Sequence, residues 1–228
     1  MSDVRCLVGT GAAADPRGFV RLCPTCTCSC DHSNFAGVGG AVPDRVNLYR
    51  TQMLRSVGAN AWRMAHNPPA LTRLDFMDRL GMLALDENRD FGTVGDRDHE
   101  ALPAQLTDMR DLIKRDRNHA SVMAWSFCNE GECGTDGAEQ FRQVSYEFDG
   151  TRAVTQNDHY EPAAPYLDIM GFSHKGGAVF DAYHAKHPKQ PMMATECCSC
   201  MSQRGVDEDA CPKPEDGGCD GGIAAGLR

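Results

Sequence analysis

Two carboxylates stand out by where they fall in the chain. Glu130 closes the run VMAWSFCN (residues 122–129), and Glu196 closes PMMAT (191–195). Each follows a short apolar stretch that reads as a buried strand, so each is expected at a strand end. Two carboxyl groups facing one mouth would suit the cleavage of a glycosidic bond. One, as the acid, protonates the leaving oxygen, and the other meets the oxocarbenium-like carbon. At a separation of about 5–5.5 Å the second carboxylate attacks directly, which gives a covalent intermediate and retention of configuration. Position alone does not single the pair out, because a chain with 32 acidic residues places some at strand ends by chance.

The elements that would hold them can be read from the apolar spacing. Val46, Tyr49, Met53, Leu54 and Val57 fall on one face of a helix over 44–57, with Gly58 as its stop. A buried strand follows at 59–65. Leu71, Leu74, Met77 and Leu80 stripe a second helix, which Gly81 ends, and a strand over 82–86 runs into the acidic pair Asp86 and Glu87. Leu106, Met109, Leu112 and Ile113 mark a third helix, then a strand at 122–127. Ala138, Phe141, Val144 and Phe148 mark a fourth. Short strands are expected at 153–155, 167–171 and 192–195. Repeated strand–helix units imply right-handed crossovers and a parallel sheet. Both barrels and doubly wound sheets gather polar residues where parallel strands end, so the pattern leaves these two folds open.

Composition narrows the partners. With 23 basic and 32 acidic residues the net charge is −9, which repels phosphate backbones, and nucleic acid is not expected as a partner. No run approaches the roughly 18 apolar residues of a membrane helix, so no membrane is expected either. Residues 1–14 carry one Arg and no long apolar stretch, which does not read as a signal peptide.

The stretch RDRNHASVMAWSFCNE (115–130) resembles the acid/base segment of glycoside hydrolase family 2, which includes β-galactosidases, β-glucuronidases and β-mannosidases. Members typically read RD(R)NHPSVxxWSxxNE there, and this chain differs mainly by Ala120 in place of proline. GANAWRMAHNP (58–68) is similar to the family's second strand, LGMLALDE (80–87) to its third, and PMMATE (191–196) to the strand of the nucleophile. Four segments in the family's order, over roughly residues 28–200, carry the resemblance. It implies an α/β fold, a (β/α)8 barrel of the glycosidase type. That barrel is expected to be incomplete: about seven strands are recognisable, and a full barrel needs about 250 residues. Residues 1–27 read as irregular, 28–200 as the barrel domain and 201–228 as a Gly- and acid-rich tail.

The resemblance further implies roles. Glu130 would be the general acid/base and Glu196 the nucleophile. Asn129 would touch the sugar 2-hydroxyl, and Arg63 would keep Glu196 ionised while burial held Glu130 protonated. His66 and Asn67 would line the sugar subsite, with His32 at the end of the first strand. Trp125 reads as core rather than as a sugar platform. Where the family has a tyrosine after its sixth strand, this chain offers His174 or Lys175. After Glu87 no Glu-x-His occurs, so no magnesium site of the β-galactosidase type, and no cofactor, is expected. The implied activity is hydrolysis of a β-linked terminal sugar, most like a β-galactosidase, with a carbohydrate as the partner. An inactive barrel fragment, at most a carbohydrate-binding module, is the alternative.

Twelve cysteines invite other readings. A chain able to build a core has little need of a disulfide framework, so mostly reduced thiols inside a cell are expected. Cys23, Cys26, Cys28 and Cys30 match a zinc spacing only loosely, since a second knuckle is missing. Absence of an eighth strand would allow Cys30 to approach Cys198 or Cys200.

Overall fold

A computed structural model describes residues 33–35, 37–89, 102–130, 133–157 and 160–196. Among these residues the strands and helices alternate. Helix α1 (Asp44–Ser56) precedes β1 (Ala61–Arg63), α2 (Leu71–Leu80), β2 (Leu83–Glu87), α3 (Leu102–Asp116) and β3 (Val122–Asn129). Helix α4 (Gly134–Phe148), β4 (Ala153–Asn157), β5 (Met170–Ser173), α5 (Gly177–Lys186) and β6 (Met192–Glu196) complete the series. The expected strands after the first are all present, to within a few residues at their ends. The expected first strand, with His32 at its end, and the cysteine clusters at 23–30 and 197–200 lie outside the described residues. Two elements went unread in the sequence: α5, and a 3-10 turn at Glu161–Tyr166.

Strands β1 to β4 form one parallel sheet in chain order, and β5 and β6 form a second. The two meet at a seam. The backbone N–H groups of Asp168 and Ile169 both donate to the Val154 carbonyl, and the Asp168 carboxylate accepts from the Val154 N–H at 2.9 Å. The approach is closest at Gly171, where an added β-carbon would lie 1.9 Å from the Gln156 carbonyl oxygen. Only glycine fits there.

Strand alternation sorts the side chains into two faces. Trp62, Met64, Trp125, Phe127 and Val154 join Leu74, Met77, Met109, Ile113 and Phe141 of the helices in the main core. A smaller cluster, Leu85, Ala124, Ile169 and Met193, draws on both sheets. One step further along the strands, the same face carries Glu87, Ser126 and Thr195, all buried. A floor of apolar side chains thus lies beneath a polar layer at the C-terminal strand ends, the layering of a barrel interior. Trp125 is fully buried and donates its indole N–H to Asp149, in keeping with its reading as core.

Helix α1 departs from expectation. Tyr49, Met53 and Val57, assigned to its inner face, are 47–55% exposed, and Asn47 and Thr51 are buried instead. Polar anchoring outweighs apolar spacing here. Buried Arg73 of α2 donates to Asn47 Oδ1 at 3.0 Å and lies 4.9 Å from the Trp62 ring centroid, which draws the polar face of α1 inward. Helix α2 ends as expected, at Gly81, whose φ of +67° closes the last turn.

Candidate active site

The strand ends converge on Arg63, which terminates β1 with 1% of its side chain exposed. Its Nε and NH2 donate to the two oxygens of Glu87, each at 2.7 Å, and its NH1 donates to Glu196 Oε2 at 2.9 Å. NH2 also reaches Asn129 Oδ1 at 3.0 Å. A planar fork with five fixed donors suits this position, where three strand ends must be tied at once. Glu87 is fully buried and also accepts from Ser126 Oγ at 3.0 Å. His66 Nδ1 sits 3.0 Å from Glu87 Oε1, and that hydrogen bond is the main reason the imidazole is held above its usual pKa, against the opposing pull of burial and Arg63.

The acidic pair divides by strand alternation. Glu87 points into the site, whereas Asp86 faces α3 and Asp116. Burial, reinforced by the charge of Asp116, pushes Asp86 well above the usual carboxylate range.

Glu196 ends β6. Burial alone would raise its carboxyl, but the charge and hydrogen bond of Arg63 outweigh that, with His174 and His66 adding to the effect, and hold it below the usual range. Asn157 Nδ2 contacts the same Oε2 at 3.3 Å and donates to Asn129 Oδ1 as well. The Asn157 side-chain oxygen in turn accepts from Thr195 Oγ1. Two register slips set up these contacts. One between Ser126 and Asn129 brings Asn129 opposite Asn157, and one between Phe172 and Ser173 brings Ser173 opposite Glu196. Such irregularities re-aim side chains at the rim of a sheet.

Glu130 follows β3 with a φ of +32°, and its backbone N–H is bonded to the Asn157 carbonyl. Its side chain is 45% exposed, so the burial anticipated around this carboxyl is not found in this chain. Ser173 Oγ donates to Glu130 Oε1 at 2.9 Å, and His174 Nε2 lies 3.5 Å from that atom and 3.3 Å from Glu196 Oε1. Oxygens of Glu130 and Glu196 and a ring nitrogen of His174 all fall within 4.8 Å of one another. This trio is the grouping with metal-like spacing among the described residues. An ion bound there would take one oxygen of each carboxylate and so compete with their use as acid and nucleophile.

Of the residues singled out in the sequence, the structure gathers Arg63, His66, Asn129, Glu130, His174 and Glu196. Asn67 lies exposed in the turn after β1, outside the network just described. Glu87, Ser126, Asn157, Ser173 and Thr195 were not assigned site roles from sequence. Their one signal is a polar residue at the end of a buried strand. Cys128 and Cys133, which flank Glu130, form a disulfide. The expectation of mostly reduced thiols is therefore corrected for this pair: β3 and the start of α4 hold the two sulfurs side by side across the segment that carries Glu130.

Residues 31–208 match the family model for the TIM barrel domain of glycosyl hydrolases family 2. A β-galactosidase of Thermoanaerobacter pseudethanolicus is 28% identical over 147 residues, or 61% of this chain and 20% of the relative. A β-glucuronidase of Canis lupus familiaris is 34% identical over 128 residues, or 52% of this chain and 20% of the relative. Among solved structures, a glycosyl hydrolase family 2 member from Bacteroides cellulosilyticus aligns with a TM-score of 0.67 at 26% identity, covering 83% of this chain and 26% of that one. The chain therefore spans about a fifth of the length of these curated relatives.

Proposed function

The chain belongs to glycoside hydrolase family 2, and we propose that it is the catalytic core of a retaining β-glycosidase with Glu130 as acid/base and Glu196 as nucleophile. The observation that carries this reading is the approach of the two carboxylates to within 4.8 Å in unlike surroundings. Glu196 is kept ionised by a buried guanidinium, and Glu130 faces the opening where a leaving group would sit. That spacing suits direct attack rather than a water held between the two groups.

In the first step the Glu130 proton passes to the leaving oxygen as Glu196 bonds to the anomeric carbon. In the second, Glu130 takes a proton from water as the water oxygen replaces Glu196. Arg63 and Asn157 occupy Glu196 Oε2, which leaves Oε1 for the attack. Asn129 has its oxygen tied to Arg63 and Asn157, so its NH2 group is the end left to donate to a sugar hydroxyl. His66, Asn67 and His32 are proposed to line the sugar subsite. The substrate is a terminal β-linked sugar, with β-galactosides first in line and β-glucuronides second, in keeping with the names of the relatives.

The test is intact-mass measurement after exposure to a panel of 2-deoxy-2-fluoro glycosyl fluorides, comparing the protein with Glu196→Gln. Labelling of the parent alone is expected, and the reactive sugar identifies the substrate. A folded sample that takes up no label would instead favour the inactive barrel fragment.

A further inference from the structure

We propose that His174 is a positioning residue of this site, whose Nε2–H is donated alternately to Glu196 and Glu130 and so follows the negative charge as it passes between them. The inference rests on the two-glutamate reading above. Its starting point is a division of labour on Glu196: Arg63 and Asn157 both take Oε2, and His174, at 3.3 Å, is the donor within reach of Oε1 among the described residues. The oxygen left to attack is thus the one the imidazole contacts. The same ring nitrogen lies 3.5 Å from Glu130 Oε1, so a small rotation moves the donor from one acceptor to the other.

The backbone is arranged to hold the ring there. His174 has a φ of +49°, a conformation uncommon for a residue with a β-carbon, and its N–H is bonded to the Glu196 carbonyl at 2.7 Å. That bond fixes the root of His174 to the backbone of one carboxylate. The hydroxyl of the preceding residue, Ser173, binds the other carboxylate.

The charge bookkeeping gives the donor its task. Before attack Glu196 is a carboxylate and Glu130 a neutral acid. When the bond from Glu196 Oε1 to the anomeric carbon forms and the bond to the leaving oxygen breaks, the proton leaves Glu130. Glu196 is then a neutral ester and Glu130 the carboxylate. A hydrogen bond to a charged acceptor is roughly twice as strong as one to a neutral acceptor, so the Nε2–H turns toward Glu130. Hydrolysis reverses both changes. His174 neither gains nor loses a proton in either step.

Activated aryl β-glycosides and the 2-fluoro probes test this on the protein and its His174 variants. His174→Phe should lower both kcat and the labelling rate of Glu196 by roughly 10- to 100-fold, in line with loss of one preorganised donor, while KM moves by less than about threefold. His174→Gln restores an N–H at similar reach and should recover at least roughly tenfold of that loss. A purely structural role would lower stability in both variants and would not separate them by their donor. Should His174→Phe fail to fold, His174→Ala is assayed with and without added imidazole. A rise with imidazole supports the proposal, and no change overturns it. If the wild type is labelled and His174→Phe works within twofold of it, the inference fails while the two-glutamate reading stands. If the wild type itself takes no label, both fall.

Discussion

Glu196 and Glu130 belong to different sheets, and each is held mainly by the other one. Glu196 ends β6 of the two-stranded sheet, and its partners Arg63 and Asn157 end β1 and β4 of the four-stranded sheet. Glu130 follows β3 of the four-stranded sheet, and its partners Ser173 and His174 stand at the end of β5. The seam between the sheets is thereby crossed at each of the two carboxylates. The two crossings differ in kind. The one to Glu196 is ionic and backed by Arg63 and Glu87, both essentially without solvent exposure. The one to Glu130 is a hydroxyl and an imidazole at a side chain that is 45% exposed. The surroundings of Glu196, the proposed nucleophile, are completed by the chain itself, whereas Glu130, the proposed acid/base, is left open to whatever enters the mouth.

The sharpest way to break this comparison is at its ionic end. Arg63→Met leaves Glu87 as a buried carboxylate without its cation, which should cost about 3–5 kcal/mol. For a chain of this size that corresponds to a fall in Tm on the order of 10 °C. Arg63→Met combined with Glu87→Leu should regain most of that stability, because the orphaned charge is gone, yet leave Glu196 without its cation and the site without activity. Urea denaturation of the single and double variants measures it. A single variant within about 1 kcal/mol of the wild type would mean that the polar layer is not the anchor described here.

The other end is tethered covalently. Replacing both Cys128 and Cys133 by Ser opens a short loop around Glu130 and should cost about 2 kcal/mol. The kinetic signature should fall on the acid. On the proposed role of Glu130, glycosides with alkyl leaving groups, which need a proton to depart, should lose more turnover than nitrophenyl glycosides, whose leaving groups depart with little help. Equal losses on both substrate types would show that the disulfide steadies the fold without positioning Glu130.

How legible this was in the sequence depended on whether a residue's task was local. Alternating apolar runs located the described strands, because burial between helices and an inner floor demands them. Segment 115–130 located Glu130, although it performs two tasks: Arg115 clamps Asp116, and Asp78 accepts from the Ser121 N–H, at the far end of β3 from Glu130. Residues whose task is to face another sheet stayed hidden. Nothing near Asn157 or Ser173 announces that a register slip will bring one opposite Asn129 and the other opposite Glu196. Helix α1 misled for a related reason. Its apolar spacing was real, but the buried Arg73 on its neighbour selected the polar face. Helix α5 lacks a clean apolar stripe altogether; Tyr183 is its one fully buried side chain.

The smallest expected effect sharpens the comparison in terms of pH. The Glu196 carboxyl is held below its ordinary range in the folded chain, so the unfolded chain binds its proton first as the pH falls. Ionised Glu196 therefore contributes stability that is fully present above the unfolded value of about 4.3 and is lost as the pH drops through the lower folded value. The stability difference between wild type and Glu196→Gln should be level from neutral pH down to about pH 5 and then shrink as the pH falls further. Denaturation series at stepped pH would measure this. With Glu196 as the proposed nucleophile, which must be ionised to attack, the same sign places the acid limb of kcat/KM below the ordinary glutamate range. A difference that stays flat from pH 7 to pH 3 would mean that Arg63 does not hold Glu196 as a charge, and the contrast between the two carboxylates would reduce to their exposure alone.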